Sequence, residues 1–390
     1  MDINTLKARI MQSVDAAAPD LSALSRRIHR HPECGFKETR AAAWLGEYLA
    51  CHGFTVATGL YELPTSFRAA YGTGQPVIAF LAEYDALPEL GHACGHNIIG
   101  VSAAGAAVAA QAAADHYGGT LLVLGTPAEE LFGGKITMIK QGAFEGVDAA
   151  LMVHPGNCNA ALTHALACQT LQVSFRGRAA HAASRPEAGI NALEAMIQAF
   201  TSVNSLRQHI KDYCRIHGII TEGGKAANIV PDYSAATILV RAEDTAYLKE
   251  LQEKVLRCFQ GAARATGARL EYRWDEKSYA PMRQNTALGR LFQANLTSLG
   301  REVALVEPAV SLGSTDMGNV SQVTPALHGM ISITDGNIPL HTPAFARAAV
   351  SERGMSALRD AAKALALTAA DLLADRDTLN LVKEEFRSAK

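Results

Sequence analysis

The 390-residue sequence has no sustained block of Lys or Arg and little net charge: 36 basic residues against 38 acidic ones leave -2 at pH 7. That balance gives no electrostatic reason to expect nucleic acid or an anionic membrane as a partner. Small molecules or other protein subunits are expected instead. The cysteines (Cys34, Cys51, Cys94, Cys158, Cys168, Cys214 and Cys258) have no framework spacing and are odd in number. This argues against a disulfide-stapled secreted protein and for a reducing cytoplasm. The charged, amphipathic segment from Met1 to Arg30 lacks an apolar stretch followed by a small-residue cleavage site, so no signal peptide is expected. Residues Ile98 to Ala114 imitate a membrane span, but they are mostly Ala and Gly, include Gln111 and fall short of about 20 strongly apolar residues. A tightly packed buried helix is the expectation there. There is no internal repeat, heptad pattern or low-complexity tract apart from Ala-rich helices.

What is present suggests two domains, since single cores stop growing near roughly 250 to 300 residues. Leu21, Leu24 and Ile28, then Trp44, Leu45, Tyr48 and Leu49, recur at helical spacing around the Pro32 to Gly35 loop. Three nearly continuous apolar runs follow, Val77 to Ala82, Leu121 to Leu124 and Ala149 to Val153, with helical patterns between them. Runs of this kind indicate strands buried on both faces of an α/β sheet. Each is followed by polar residues: Glu83 and Asp85, then Glu129 and Glu130, then His154. Open α/β sheets bind ligands beyond the carboxyl ends of their strands, so one crevice would collect all three segments. A fourth run, Ala326 to Ile333, leads to His341-Thr342-Pro343. Between about Gln169 and Tyr279 apolar residues alternate with polar ones, and the order strand, helix, strand, strand, helix, strand is that of a ferredoxin-like α+β domain. The expected layout is a catalytic α/β domain over 1–168 and 282–390, with an insertion over 169–281.

Cys94 and His96 lie two apart in a glycine-rich loop, a spacing that in extended chain points both side chains the same way. Thiolate and imidazole are good ligands for Zn and related divalent metals. Such a pair alone also describes a buried, inert Cys beside a hydrogen-bonded His. Its placement after a buried strand, with Glu130, His154 and His341 at comparable strand ends, favours the metal. Adjacent carboxylates at Glu129 and Glu130 are costly at the end of a buried strand unless something cationic compensates them. Because neighbouring residues point apart, one can ligate a metal while the other serves a water as general base. A solvated acidic loop is the plain alternative. His154 and His341 could each be a turn histidine, and His92 could compete with Cys94 and His96 for the metal. His181 lies in the inserted segment, beyond assignment by pattern.

The segments His29 to Phe36, Asp85 to Pro88 with His92 to His96, Pro127 to Glu130, Gly177 to Ala182, Asn228 to Asp232 and His341 to Pro343 occur in the order of the aminoacylase-type metallopeptidases. The chain resembles their amidohydrolase branch, which includes hippurate hydrolases, auxin-conjugate hydrolases and p-aminobenzoyl-glutamate hydrolase, over nearly its whole length. The resemblance implies a mixed-sheet, three-layer catalytic domain with an inserted dimerisation or lid domain. It also implies two divalent ions per subunit, drawn from Zn, Mn, Co or Ni. Cys94 would bridge them, with His96 and His154 on one ion and Glu130 and His341 on the other. Hydrolysis of the amide bond of an N-acyl amino acid or dipeptide-like substrate would use a metal-bound hydroxide, with Glu129 as general base and Asp85 orienting a ligand imidazole. His181, from a partner subunit of a homodimer, would stabilise the oxyanion, and Asn228 would hold the substrate carboxylate. Gly91, Asn97 and the segment Gly313 to Gly318 depart from the hippurate and auxin-conjugate pattern and lean toward p-aminobenzoyl-glutamate hydrolase and dipeptidase-like relatives. A non-catalytic binding protein on the same fold would not need the complete ligand set. A metal-free amidase with Cys94 as nucleophile and His96 as base would require awkward i, i+2 pairing.

Overall fold

The computed structural model describes residues 2–308 and 313–388. They divide into two compact units, one of residues 2–164, 282–308 and 315–388, the other of Ala165–Pro281 with Gly313 and Ser314.

The first unit is built on eight strands: β1 (Thr55–Thr58), β2 (Phe67–Thr73), β3 (Val77–Ala82), β4 (Gly119–Gly125), β5 (Ala149–Gly156) and β6 (Ala160–Leu162), then, after the second unit, β11 (Ala304–Val306) and β12 (Ala326–Ser332). Their order in the sheet is β1-β2-β4-β3-β5-β12-β6-β11. β3 runs parallel to β4 and β5, and β12 parallel to β5, while β1, β2 and the β12–β6 bridge add antiparallel pairing. The result is a mixed α/β sheet. Its central strands are mostly apolar because both faces are covered. On β3, Ile78, Phe80 and Ala82 join the core under the helices Ile3–Arg30, His96–Tyr117 and Glu352–Ala374. Ala79 and Leu81 join a second core with Met138 and Met317. Each fully buried Leu, Ile or Phe contributes about 1.5–3 kcal/mol of transfer free energy.

The helix His96–Tyr117 explains the imitation of a membrane span. Among the described residues it is the one helix long and apolar enough to cross a bilayer, yet most of it is buried. Its small residues permit close approach: a Cβ on Gly100 would lie 2.8 Å from the Glu83 carbonyl oxygen, and one on Gly105 would lie 2.9 Å from Leu21.

The second unit holds β7 (Ala167–Arg176), β8 (Arg215–Glu222), β9 (Tyr233–Ala242) and β10 (Arg269–Trp274), all antiparallel in the order β10-β7-β9-β8. The helices Ala192–Leu206 and Thr245–Thr266 complete the chain order β, α, β, β, α, β. Leu171, Val173 and Phe175 point into one core, where the Phe175 and Phe259 rings stack 6.2 Å apart. The first helix is shorter than the Pro186 to His209 stretch its pattern suggests. Gly189 and Asn191 are extended, the Asn191 side chain caps the helix at Glu194 N, and 3-10 turns occupy Pro186–Ala188 and Arg207–His209.

Candidate metal centre

β3 lies between β4 and β5, so the chain passes from β3 to one neighbour and reaches the other only later. In a wound α/β sheet this reversal opens a crevice at the carboxyl ends of the strands. Glu83 and Asp85 leave β3 into it, and Glu129 and Glu130 enter it after β4. His154 sits inside β5 rather than after it, because that strand extends to Gly156.

The Cys94 and His96 pair is not held by extended chain, as the spacing suggested. Gly95 is left-handed at φ 81°, and His96 opens the helix His96–Tyr117. A Cβ on Gly95 would also lie 2.9 Å from Pro155, so glycine is required twice over. The turn still delivers both side chains to one place. The donor atoms of Cys94, His96 and His154 lie within 4.8 Å of one another, as do those of Cys94, Glu130 and His341, so Cys94 belongs to both groups. Cys94 Sγ is 3.5 Å from His154 Nε2, and His341 Nε2 is 3.5 Å from Glu130 Oε2. His341, itself at φ 59°, is tied to the same loop by its backbone N–H, which donates to Ala93 O at 2.9 Å.

Hydrogen bonds orient the imidazoles. His96 Nδ1 donates to Asp85 Oδ1 at 3.0 Å, and His154 Nδ1 donates to Pro155 O at 2.7 Å, which leaves each Nε2 facing the cluster. The second Asp85 oxygen accepts from Glu130 N at 3.0 Å, so one buried carboxylate positions two of the clustered residues. Burial pushes the Cys94 thiol up and His154 down to about 4. An unliganded centre therefore carries a thiol and a neutral His154, and metal loading would release the thiol proton. Burial first, then Glu83, Asp316 and Glu130, push the Glu129 carboxyl well above the ordinary carboxylate range. His96 Nε2 and Glu130 Oε1 are buried without a hydrogen-bond partner, and thiolate, imidazole and carboxylate together suit a pair of divalent ions. The residues fit such a pair.

Residues 79–367 match Peptidase family M20/M25/M40. The chain is 37% identical to mouse Xaa-Arg dipeptidase, covering 99% of this chain and 93% of that one. With one of the subunits of p-aminobenzoyl-glutamate hydrolase from Escherichia coli the identity is 30%, covering 97% and 94%. The chain belongs to this peptidase family. It is therefore a metal-dependent peptidase or amidohydrolase. Among solved structures, a dinuclear metal-binding peptidase of the M20 family from Bacillus subtilis superposes with a TM-score of 0.71 at 21% identity, covering 92% of this chain and 99% of that one. A putative aminohydrolase from methicillin-resistant Staphylococcus aureus does so at 0.79 and 20%, covering 94% and 100%.

Other residues of this M20 peptidase stand apart from the pattern read in its sequence. His92 joins neither cluster around Cys94; it is buried, and its ring lies 6.0 Å from that of His29. His181 and Asn228 belong to the second unit and are neighbours there: Ala182 N donates to Asn228 O at 3.0 Å. His181 Nδ1 accepts from Ala183 N and Ser184 N, both at 3.2 Å, so its ring proton sits on Nε2.

Sequence reasoning missed three supporting groups. Glu38 is fully buried and accepts from Ala128 N at 2.8 Å and from Thr65 Oγ1 at 2.9 Å. It braces the left-handed Ala128, φ 59°, which turns Glu129 and Glu130 into the crevice. Lys135, also fully buried, donates to Glu83 at 2.6 Å and to Asp316 at 2.7 Å. His328, whose ring lies 5.7 Å from that of His154, donates Nδ1–H to Thr163 Oγ1 at 2.9 Å and is held neutral by burial, its pKa about 3. The one signal in the sequence near these groups is the Asp316 segment, which departs from the family pattern.

Proposed function

We propose that the protein is a dinuclear metallohydrolase cleaving dipeptide-like amides, in which His96 and His154 would hold one ion, Glu130 and His341 the other, and Cys94 would serve both. The two donor groups that share Cys94 carry this reading. When bound, such ions polarise the scissile carbonyl and acidify water. Glu129 takes a proton from the attacking water and returns it to the leaving amine. Asp85 keeps His96 in the tautomer that presents Nε2. His181, its proton on Nε2, donates to the oxyanion of the tetrahedral intermediate, and Asn228 binds the substrate carboxylate.

The second unit serves as an inserted, ferredoxin-like lid and dimerisation domain. In support, β8 is an edge strand with Ile219 65% and Ile220 40% exposed, an edge suited to pairing with a second copy. The seven free cysteines suit a reducing cytoplasm. The ions are drawn from Zn, Mn, Co and Ni. The mouse relative places dipeptides with a C-terminal Arg first among candidate substrates, ahead of N-acyl amino acids and aminobenzoyl-glutamate. Metal analysis coupled to hydrolysis assays over these three classes tests the reading. Two ions per chain and dipeptide turnover are expected, whereas activity that survives complete chelation would overturn it. Mixing His181→Ala with Glu129→Ala protein should restore some turnover if His181 acts across the dimer.

A further inference from the structure

Glu83 is fully buried directly after β3, yet only one of its oxygens is engaged. Lys135 Nζ holds Oε1 at 2.6 Å, and Asp316 in turn anchors Lys135 twice, by Nζ to Oδ1 at 2.7 Å and by the backbone N–H to Oδ2 at 2.9 Å. The other oxygen, Oε2, is buried without a hydrogen-bond partner and lies 3.6 Å from His96 Nε2. Glu130 Oε1, also buried and unpartnered, lies 3.7 Å from the same nitrogen.

Because His96 Nδ1 is committed to Asp85, Nε2 is the ring atom left to face these two oxygens. Two buried carboxylate oxygens without a hydrogen-bond partner thus each approach the same imidazole nitrogen. A proton on Nε2 would not resolve the conflict, since 3.6 and 3.7 Å exceed hydrogen-bonding range. A divalent ion would. Bonds of about 2.0–2.2 Å set neighbouring tetrahedral donors roughly 3.4 Å apart, close to the spacing seen here.

Resting on the dinuclear reading above, we infer that Glu83 is a sixth protein ligand: it gives Oε2 to the ion held by His96, while Lys135 and Asp316 fix its rotamer by clamping Oε1. The Lys135 ammonium also fills the space among the buried Glu83, Glu129 and Asp316 carboxylates, so that group takes an internal cation rather than a third metal. The consequence is a harder, more anionic first site, because a carboxylate adds to thiolate and imidazole. Oxygen-preferring Mn(II) should depend on it more than Zn(II) does.

The test loads metal-free protein with Mn(II), Zn(II) and Co(II) separately. Wild type should bind two ions, and Glu83→Gln should weaken one of the two steps at least tenfold for Mn(II), less for Zn(II), and shift the visible bands of the Co(II) form. Two unchanged affinities with unchanged cobalt bands would overturn the inference. If Glu83→Gln does not fold, anomalous diffraction from Zn-loaded wild type decides: Oε2 is expected within about 2.3 Å of an ion, and a separation beyond about 3 Å overturns the assignment. Wild-type protein that binds no ions would instead sink the dinuclear reading itself.

Discussion

The two sheets of this protein solve the problem of polar residues in opposite ways. The eight-stranded sheet is covered by helices on both faces, so its central strands have no solvated side and polar chemistry is pushed to their carboxyl ends. There Glu83, Asp85, His96, Lys135 and Asp316 are each at most 1% exposed and must compensate one another. The four-stranded sheet keeps one face open, so its charges lie in water and its chain alternates apolar with polar. Desolvation makes each charge in the first region decisive, while solvent makes most of those in the second dispensable.

The sharpest break of that comparison is Glu129→Ala. Turnover should fall by about 10³ to 10⁴-fold, the upper range for a general base, while two bound ions remain. Stopped assays alongside metal analysis check this, and unchanged turnover would end the assignment. Next comes a matched pair of ion-pair deletions. Lys135→Met strands the buried Glu83 and Asp316 and should cost about 3–5 kcal/mol in urea unfolding. Arg176→Met removes the exposed partner of Glu271 on the open sheet and should leave the urea midpoint where it was. Equal effects from the two would show that burial is not what separates the regions.

A smaller effect concerns Glu38, whose carboxyl burial lifts to about 7 from an ordinary 4.5. The folded state then holds this proton more tightly than the unfolded chain does. Its contribution is full below about pH 4.5 and is lost as pH rises through 7. Glu38→Gln has no such proton to lose, so its stability relative to wild type should improve by about 2–3 kcal/mol between about pH 4.5 and 8. A difference that stays flat with pH would contradict the burial argument. The smallest expected change in stability is for Ile219→Asp on the open edge, within about 0.5 kcal/mol. On the proposed pairing through β8, sedimentation should show a wild-type dimer that this substitution disperses, and a coefficient the substitution leaves unaltered would remove β8 from the proposed interface.

The four central strands of the large sheet and the four of the small one were legible because periodicity is a direct record of burial, as at Val77–Ala82 and Arg269–Trp274, whereas β1, β2, β6 and β11 were not read from the pattern. Residue chemistry also made Cys94, His96, Glu130, His154 and His341 readable as candidate ligands. Less legible was anything that depends on a backbone exception. The turn at Gly95 changed the Cys94 and His96 pair from extended chain to the mouth of a helix, and the left-handed Ala128 brought Glu129 and Glu130 toward one centre rather than apart.

By itself, then, the sequence determined which strands are buried on two faces and which on one, and which residue types could bind metal, because those properties are local and periodic. Only the tertiary structure decided that Lys135 is an internal counter-ion rather than a surface lysine, that Glu38 braces the Glu129 turn, and that Glu83 turns a free oxygen toward His96 Nε2. Those roles exist only where segments distant in sequence exclude water together. Lys135 and Asp316 are 181 positions apart, and no single-residue pattern records that they will share a desolvated site.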